Sequence, residues 1–381
     1  MTQSAECYEV LRALKERRNV LISGPPAAGK SHLLNEVAAA FVGAAAAPAA
    51  SRNPVLTPGA KVPIPARPPA PIADATLQAV LPSSDRNDRR VFRTVFHQSS
   101  KHRDFLTGIA PDLSTPGAFK VTEGILYRAS QHALSSNGAS LLIIDEINRG
   151  PAVQVFGGAI VAIEGEKRLA PDGSKQSQTQ FFELLDPATG SLKEYAFPHH
   201  LYILAAMNQA DVSVEPLDVA FLRRWAPLSL RPSEKMLRSF LGLAADPQTL
   251  PDAPTTHGDV LEAATQAWAK INARIALGRG PEFQIGHGVL MSDPSAKPEN
   301  LIDAQRFAVA GWNVIRAHID EVFFGDIRGL AATLNALNKV ASHPYELKEV
   351  SFADEPKQDL AGPSAVTVDN VYALLKAVAA E

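Results

Sequence analysis

Eight consecutive residues, Gly24-Pro25-Pro26-Ala27-Ala28-Gly29-Lys30-Ser31, fit the pattern G-x-x-x-x-G-K-[ST] without a gap. In that spacing, glycines let backbone N–H groups curl around phosphate oxygens, and the start of a following helix adds its positive dipole end. Lys30 stands where a lysine reaches the β- and γ-phosphates of a nucleotide, and Ser31 where a hydroxyl binds Mg²⁺. A second group lies far along the chain, where the apolar run Leu141-Leu142-Ile143-Ile144 ends in Asp145-Glu146. A strand there would deliver Asp145 to its carboxyl edge to hold Mg²⁺, directly or through water. Glu146, one residue on, is placed to orient or deprotonate an attacking water. Many strands end in acidic residues, so the second group is specific only in combination with the first on one sheet.

Such a sheet is legible around both groups. Val10, Leu11 and Leu14 recur at helical spacing within 5–18, Asn19 to Ser23 is a short apolar run, and Lys30 to Phe41 is a strong helix former. Strand, loop, helix is the order a phosphate loop needs. Residues 44–82 turn to alanine and proline, with Pro63-Ile-Pro65 and Pro68-Pro69, which predicts an extended, mobile insertion. Beyond it we expect a strand over Arg90–Phe96, a helix near 118–136, a buried strand over Ser140–Ile144 and a helix over 152–164. The polar stretch 165–199 carries turn signals at Pro171-Asp-Gly173 and Pro187-Ala-Thr-Gly190, which predict one or two hairpins. Strands follow at Leu201–Ala205 and around 226–230. The alternation implies a parallel sheet with helices on both faces. From Pro232 the pattern is helical, with one further strand candidate at 347–352, so we expect an α/β core over 1–230 and a smaller helical domain over 231–381.

Composition narrows the partners. The 381 residues are 46% hydrophobic and 20% charged, with a formal net charge of -3, so no general field pulls the chain toward nucleic acid or acidic membranes. Cys7 is the only cysteine, which rules out an intrachain disulfide and a thiolate zinc cluster. The ten histidines show no metal-ligand spacing, so Mg²⁺ held with phosphates is the one metal expected. The amino-terminal residues intersperse charges among apolar side chains, unlike a signal peptide, and the longest apolar run, 37–47, is too short to span a bilayer. A cytoplasmic chain with no membrane partner is expected. The basic cluster Arg86, Arg89, Arg90 and Arg93 could touch DNA or simply form a solvated strand start. His199 and His200 read as the end of a loop before a strand, and His97 as either a structural residue or a nucleotide or interface contact.

Longer motifs bring in a resemblance. Asp145-Glu-Ile-Asn-Arg149, Phe156-Gly157, Ile163-Glu-Gly-Glu-Lys-Arg168, Met207-Asn-Gln-Ala-Asp211 and Leu217-Asp-Val-Ala-Phe-Leu-Arg-Arg-Trp225 occur in order. So do Phe96-His-Gln-Ser-Ser-Lys-His-Arg-Asp-Phe105 with Gly108-Ile-Ala-Pro111, Phe283-Gln-Ile-Gly-His-Gly288, and Trp312 with Glu321-Val-Phe-Phe-Gly-Asp326. Together, from about Val20 to Asp326, they resemble the McrB family of modification-dependent restriction motors, a branch of the AAA+ P-loop NTPases. Gln209 stands for the family's threonine, Trp225 for its phenylalanine, Ser100-Lys-His102 for its tyrosines, and the aromatic end of the Ile-Gly-His motif is missing. The resemblance implies an α/β AAA+ P-loop NTPase core followed by a small α-helical lid. It implies that Asn208 holds the attacking water or γ-phosphate, that Asp211 lies near a subunit boundary, and that Arg223 and Arg224 face a neighbour's nucleotide. His287 is either a structural residue or a nucleotide or interface contact. The substrate would be ATP or GTP with Mg²⁺, the working form a homo-oligomeric ring (a hexamer), and the partner a McrC-like nuclease or other effector, with non-specific DNA contact. Because the phosphate loop starts at residue 24, no amino-terminal DNA-reading domain is expected in this chain. A MoxR-like chaperone that remodels a protein partner shares the core motifs, and the length of 165–199 suits it, but the Ile-Gly-His and Met-Asn-x-Ala-Asp motifs favour the McrB reading. A nucleotide-binding scaffold without turnover runs against the presence of Glu146, Asn208 and Arg223.

Overall fold

The computed structural model describes residues 3–43, 75–112, 114–210, 217–291, 297–337 and 343–380. Its contacts divide the chain into two compact units, Met1–Ser23 with Lys30–Ser229 and Gly24–Gly29 with Leu230–Glu381.

The first unit begins with α1 (Ala5–Arg17), whose first turn is capped by the Ser4 side chain accepting from the Cys7 amide. β1 (Asn19–Gly24), α2 (Lys30–Val42), α3 (Ala75–Val80) and β2 (Asp88–Val95) follow. Then come α4 (His102–Phe105), β3 (Thr107–Pro111), β4 (Phe119–Glu123), α5 (Ile125–Leu134) and β5 (Gly138–Asp145). The unit closes with α6 (Ala152–Phe156), β6 (Phe182–Leu185), β7 (Leu192–Tyr195), β8 (Leu201–Asn208), α7 (Val219–Leu222) and β9 (Ala226–Ser229). Five of these strands form one parallel sheet in the order β2-β5-β8-β1-β9.

Helices cover both faces, as expected for strands that read as continuous apolar runs. Leu21, Leu142, Ile144, Leu201, Ile203 and Ala205 pack in one cluster with Leu126, Ala129 and Ala133 of α5 and Val155 and Phe156 of α6. Their chain neighbours Leu141, Ile143, Tyr202 and Leu204 are equally buried and by strand alternation face the other way. There the Tyr202 ring meets Phe41 of α2 at 6.0 Å.

Several expectations need correction. Residues 44–74 of the predicted insertion lie outside the described residues, but 75–82 is not extended. It holds α3, with Leu77 and Leu81 buried and the Ala79 carbonyl accepting from Lys15 Nζ at 2.7 Å. The predicted helix near 118–136 is a strand followed by a shorter helix, because Phe119–Glu123 pairs antiparallel with Thr107–Pro111. The helix predicted over 152–164 stops at Phe156, where Gly157 takes φ 53° and a 3₁₀ turn over Gly157–Val161 replaces it. In 165–199, where one or two hairpins are expected, one forms as expected, Phe182–Leu185 with Leu192–Tyr195. The Pro171-Asp-Gly173 turn closes a loop instead, with the Ala170 amide donating to the Ser174 carbonyl at 2.9 Å.

The second unit contains α8 (Glu234–Leu241), α9 (His257–Gly278), α10 (Leu301–Val322) and α11 (Ile327–Thr333). An exposed hairpin of β10 (Glu346–Phe352) and β11 (Glu355–Ala361) and then α12 (Val371–Ala379) complete it. Thr256 and Asp259 form a reciprocal capping box at the start of α9, and Asn300 caps α10. Trp268, Ile271 and Ile275 of α9 pack with Trp312, Ile315 and Ile319 of α10 and with Val371, Leu374, Leu375 and Val378 of α12. Those i, i+3, i+4 and i+7 spacings are what an amphipathic helix needs to bury one stripe. One ion pair is sealed within the unit: Arg238 donates to both carboxylate oxygens of Glu262 at 3.0 and 2.8 Å.

Candidate nucleotide site

In the first unit, the chemistry-bearing side chains gather at the carboxyl ends of the strands. β8 lies between β5 and β1, so Asn208 at its end is a neighbour of Asp145 and Glu146 at the end of β5. Lys30 opens α2 and is only 8% exposed. Burial pushes its amine down to about 8, against the opposing pull of the Glu146 and Asp145 carboxylates. A lysine held that way is still mostly charged at neutral pH. Ser31, the next residue, is exposed.

Asp145 Oδ1 accepts from the Glu146 amide at 3.0 Å. Glu146 itself takes φ 52°, ψ 45°, a left-handed conformation that costs a non-glycine residue on the order of 1 kcal/mol and turns the chain sharply out of the strand. Its carboxylate is engaged on both sides. Asn208 Nδ2 donates to Oε1 at 2.7 Å, and Arg149 Nε stands 3.3 Å from Oε2. The second contact is an ion pair without good hydrogen-bond alignment. Asn148 Nδ2 donates to the Asn208 carbonyl at 2.9 Å and so fixes the end of β8 from the β5 side. Sequence reasoning missed Asn148 and Arg149, although both lie inside the motif that begins at Asp145.

Arg223 and Arg224 follow α7 and are not equivalent. Arg224 is tied within its own chain: Nε lies 3.2 Å from Glu164 Oε1, and Nη1 donates to the Ala220 carbonyl. Arg223 is exposed. Asp211 lies outside the described residues.

In the second unit, the loop Gly24–Gly29 turns through φ 59° at Ala27 and 91° at Gly29, the second of which suits glycine alone. A Cβ on Gly24 would lie 2.3 Å from the Leu230 carbonyl oxygen. The stretch Gly286-His287-Gly288 packs against the loop backbone. The Gly286 amide donates to the Pro26 carbonyl and the Gly288 amide to the Ala27 carbonyl, both at 2.9 Å. His287 is 4% exposed; its Nδ1 accepts from the Ser233 amide at 3.2 Å, which leaves the proton of a neutral ring on Nε2. Nε2 lies 3.8 Å from the point where a Cβ on Gly29 would stand.

The basic cluster is dispersed into separate duties. Arg89 is buried over the Phe41 ring at 4.9 Å, and Arg86 donates to the Ser135 and Pro171 carbonyls at 3.2 Å. Arg90 pairs with Asp88 at 3.1 Å. Arg93 has its guanidinium lowered by burial, opposed by Asp145. His199 and His200 are partly to fully buried among Arg18, Arg86, Ser83 and Tyr202, whereas His97 is exposed. Ser140, His132 and Asp88 stand in the order of a hydrolytic triad, at 2.9 and 3.0 Å. Ser140, however, is wholly buried in the middle of the sheet, so no substrate can meet it and the line serves to tie α5 to β5 and β2. Among the described residues, no group of three or more His, Cys, Asp or Glu side chains could hold a metal ion, and no helix is long and apolar enough to cross a membrane.

Residues 77–225 match the AAA domain (dynein-related subfamily), a span that begins after the phosphate loop and contains Asp145, Glu146, Asn208, Arg223 and Arg224. With a phosphate loop leading into α2 of the same sheet, these place the chain among the AAA+ P-loop NTPases. Two curated relatives narrow this. The chain is 26% identical over 287 residues to the EcoKMcrB subunit of the Type IV methyl-directed restriction enzyme of Escherichia coli (strain K12), covering 73% of this chain and 48% of that one. It is 32% identical over 133 residues to component YdiS of the Type II restriction enzyme BsuMI of Bacillus subtilis (strain 168), covering 34% of this chain and 36% of that one. The chain is thus a McrB-like AAA+ protein that spans about half or less of the length of these relatives. Among solved structures, NtrX from Brucella abortus in complex with ADP aligns at TM-score 0.33 and 12% identity, over 88% of this chain and 66% of that one.

Proposed function

We propose that the chain hydrolyses ATP or GTP, with the triphosphate on the loop Gly24–Gly29 and on Lys30, and that it works as a ring. The observation that carries this reading is the 2.7 Å hydrogen bond from Asn208 to Glu146, with Lys30 held in the field of Glu146 and Asp145. Two carboxylates, an amide and a partly desolvated cation on one sheet edge suit phosphoryl transfer, which needs positioning and charge stabilisation more than covalent chemistry. The Ser31 hydroxyl and the Asp145 carboxylate are hard oxygen donors of the kind Mg²⁺ takes when it keeps several waters and phosphate oxygens as its other ligands. Mg²⁺ there would neutralise phosphate charge. Lys30 would hold the terminal phosphates, Glu146 would orient a water and accept its proton, and Asn208 would fix the carboxylate that does so.

Arg223, exposed while Arg224 is tied to Glu164, would reach a neighbouring subunit's nucleotide. That relation requires an oligomer, expected to be a hexamer. Because the two relatives are a subunit and a component of restriction enzymes, the chain would act with a separate, McrC-like effector, and would touch DNA through phosphate contacts without reading sequence. Residues 231–381 would serve as the lid. The test compares Glu146→Gln with Lys30→Ala by equilibrium nucleotide binding and phosphate release. Glu146→Gln should bind and not turn over, and Lys30→Ala should lose binding. Unchanged hydrolysis in Glu146→Gln would refute the assignment.

A further inference from the structure

A loop that binds an anion must present N–H groups to it and keep its carbonyl oxygens turned elsewhere, since a carbonyl facing phosphate repels it. In Gly24–Gly29, Pro25 and Pro26 have no N–H to offer, so the donors come from Ala27 onward and the carbonyls beside them matter most. The carbonyls of Pro26 and Ala27 are taken up by the amides of Gly286 and Gly288. The approach is backbone to backbone. A Cβ on residue 286 would lie 2.0 Å from the Ala27 carbonyl carbon, and one on residue 288 would lie 2.8 Å from the Ala27 oxygen.

What holds Gly286 and Gly288 in place is a buried asparagine. Asn272, in the middle of α9 and 4% exposed, accepts from the Ile285 amide through Oδ1 at 2.6 Å and donates to the Ile285 carbonyl through Nδ2 at 2.9 Å. Trp268 Nε1 donates to the same carbonyl at 3.0 Å, and Gln284 Nε2 donates to the Asn272 carbonyl at 3.2 Å. Ile285 is thereby clamped at both its backbone polar groups, as it would be by a neighbouring strand. A helix interior disfavours asparagine, and an apolar residue there would leave the Ile285 amide without this acceptor and its carbonyl with Trp268 alone.

We infer that Asn272 is a positioning residue for nucleotide binding: through Ile285, Gly286 and Gly288 it holds the phosphate loop with its carbonyls turned away from the anion. This rests on the nucleotide reading above. The test is equilibrium binding of fluorescent, non-hydrolysable ATP and GTP analogues to the wild type, Asn272→Ala, Gly288→Ala, Lys30→Ala and Ile315→Val. The last trims the same unit's core and leaves every hydrogen bond of the loop and of 284–288 in place. Asn272→Ala and Gly288→Ala should each weaken binding at least tenfold and raise KM more than they lower kcat. Ile315→Val should stay within twofold of wild type although its Tm also falls. Amide exchange at Gly286 and Gly288 should speed up in Asn272→Ala. If Asn272→Ala does not fold, Gly288→Ala decides the matter. Binding lost in Lys30→Ala but kept within threefold in the Asn272 and Gly288 variants overturns this inference alone. So does Ile315→Val losing affinity in step with its Tm. A wild type that binds neither nucleotide overturns both this inference and the reading it rests on.

Discussion

Asn208→Ala isolates one interaction of the proposed hydrolytic site. The substitution removes the Nδ2 donor that meets Glu146 Oε1 at 2.7 Å. It leaves the bond from Asn148 intact, because that bond ends on the main-chain carbonyl of residue 208. A hydrogen bond to a charged group contributes about 1.5–3 kcal/mol, and each 1.36 kcal/mol is a factor of ten in rate. If Asn208 holds the Glu146 carboxylate in the transition state, kcat should fall roughly 10- to 150-fold. Nucleotide affinity should stay within about threefold, since the loop, Lys30 and Ser31 are untouched. Asn208→Asp should be worse, because a second carboxylate beside Glu146 repels it and favours its protonated form. Single-turnover phosphate release at saturating nucleotide reads the first quantity and equilibrium binding the second. A kcat within twofold of wild type, or a loss confined to affinity, refutes the reasoning.

Other expectations follow from the same geometry. Arg223→Ala, inactive alone, should regain partial hydrolysis when mixed with inactive Lys30→Ala, because some interfaces would join an intact loop to an intact arginine; freely exchanging subunits that stay inactive refute the trans role. Arg238→Ala leaves Glu262 buried without its bidentate partner and should destabilise the protein by about 3–5 kcal/mol, whereas Arg238→Met with Glu262→Leu should recover most of that, both read by urea unfolding. The His199 ring is pushed from 6.5 down to about 4, first by burial and then by Arg18, His200 and Arg168. As pH falls the unfolded chain therefore takes up this proton first, so stability should be unaffected above about pH 6.5 and decline toward pH 4. After screening at a half-exposed ring the decline should be about 1–2 kcal/mol, and His199→Asn should flatten it in urea midpoints measured at pH 7, 5.5 and 4.5.

Residues whose chemistry requires them to be contiguous are legible in the sequence itself. Gly24 to Ser31 form one turn, and Asp145-Glu146 end an apolar run that can only be a buried strand, so both can be placed by inspection. Pairings between distant short segments cannot. Phe119-Lys-Val-Thr-Glu123 runs without punctuation into the amphipathic Ile125–Leu134, and nothing local announces that its partner is Thr107–Pro111. The Gly157-Gly158 pair is outweighed by the helix formers around it, yet a left-handed glycine ends the helix. Leu77 and Leu81, four residues apart, are a helical signal hidden in the proline-rich composition of 44–82. Asn272 is legible only as an oddity, a polar residue on the apolar stripe of α9, and its purpose needs the backbone of Ile285 to be seen. The inequality of Arg223 and Arg224 depends on Glu164, some sixty residues upstream, which spacing cannot supply.

The place of β8 in the sheet sets a ruler. Adjacent strands stand about 4.8 Å apart, and β8 separates β5 from β1, so the carboxylates at the end of β5 begin about 10 Å across from the end of β1. Were β5 directly beside β1, the acidic pair would stand one spacing away, with no room for both a terminal phosphate and a water in line behind it. In the proposed site, one interposed strand gives that pair of occupants a second spacing of about 4.8 Å, with Asn208 at the end of the interposed strand. On the proposed reading, the reach of the chemistry is set by hydrogen-bond ladders rather than by flexible side chains, and a register slip of β8 would misplace Asn208 while leaving every residue of the loop intact.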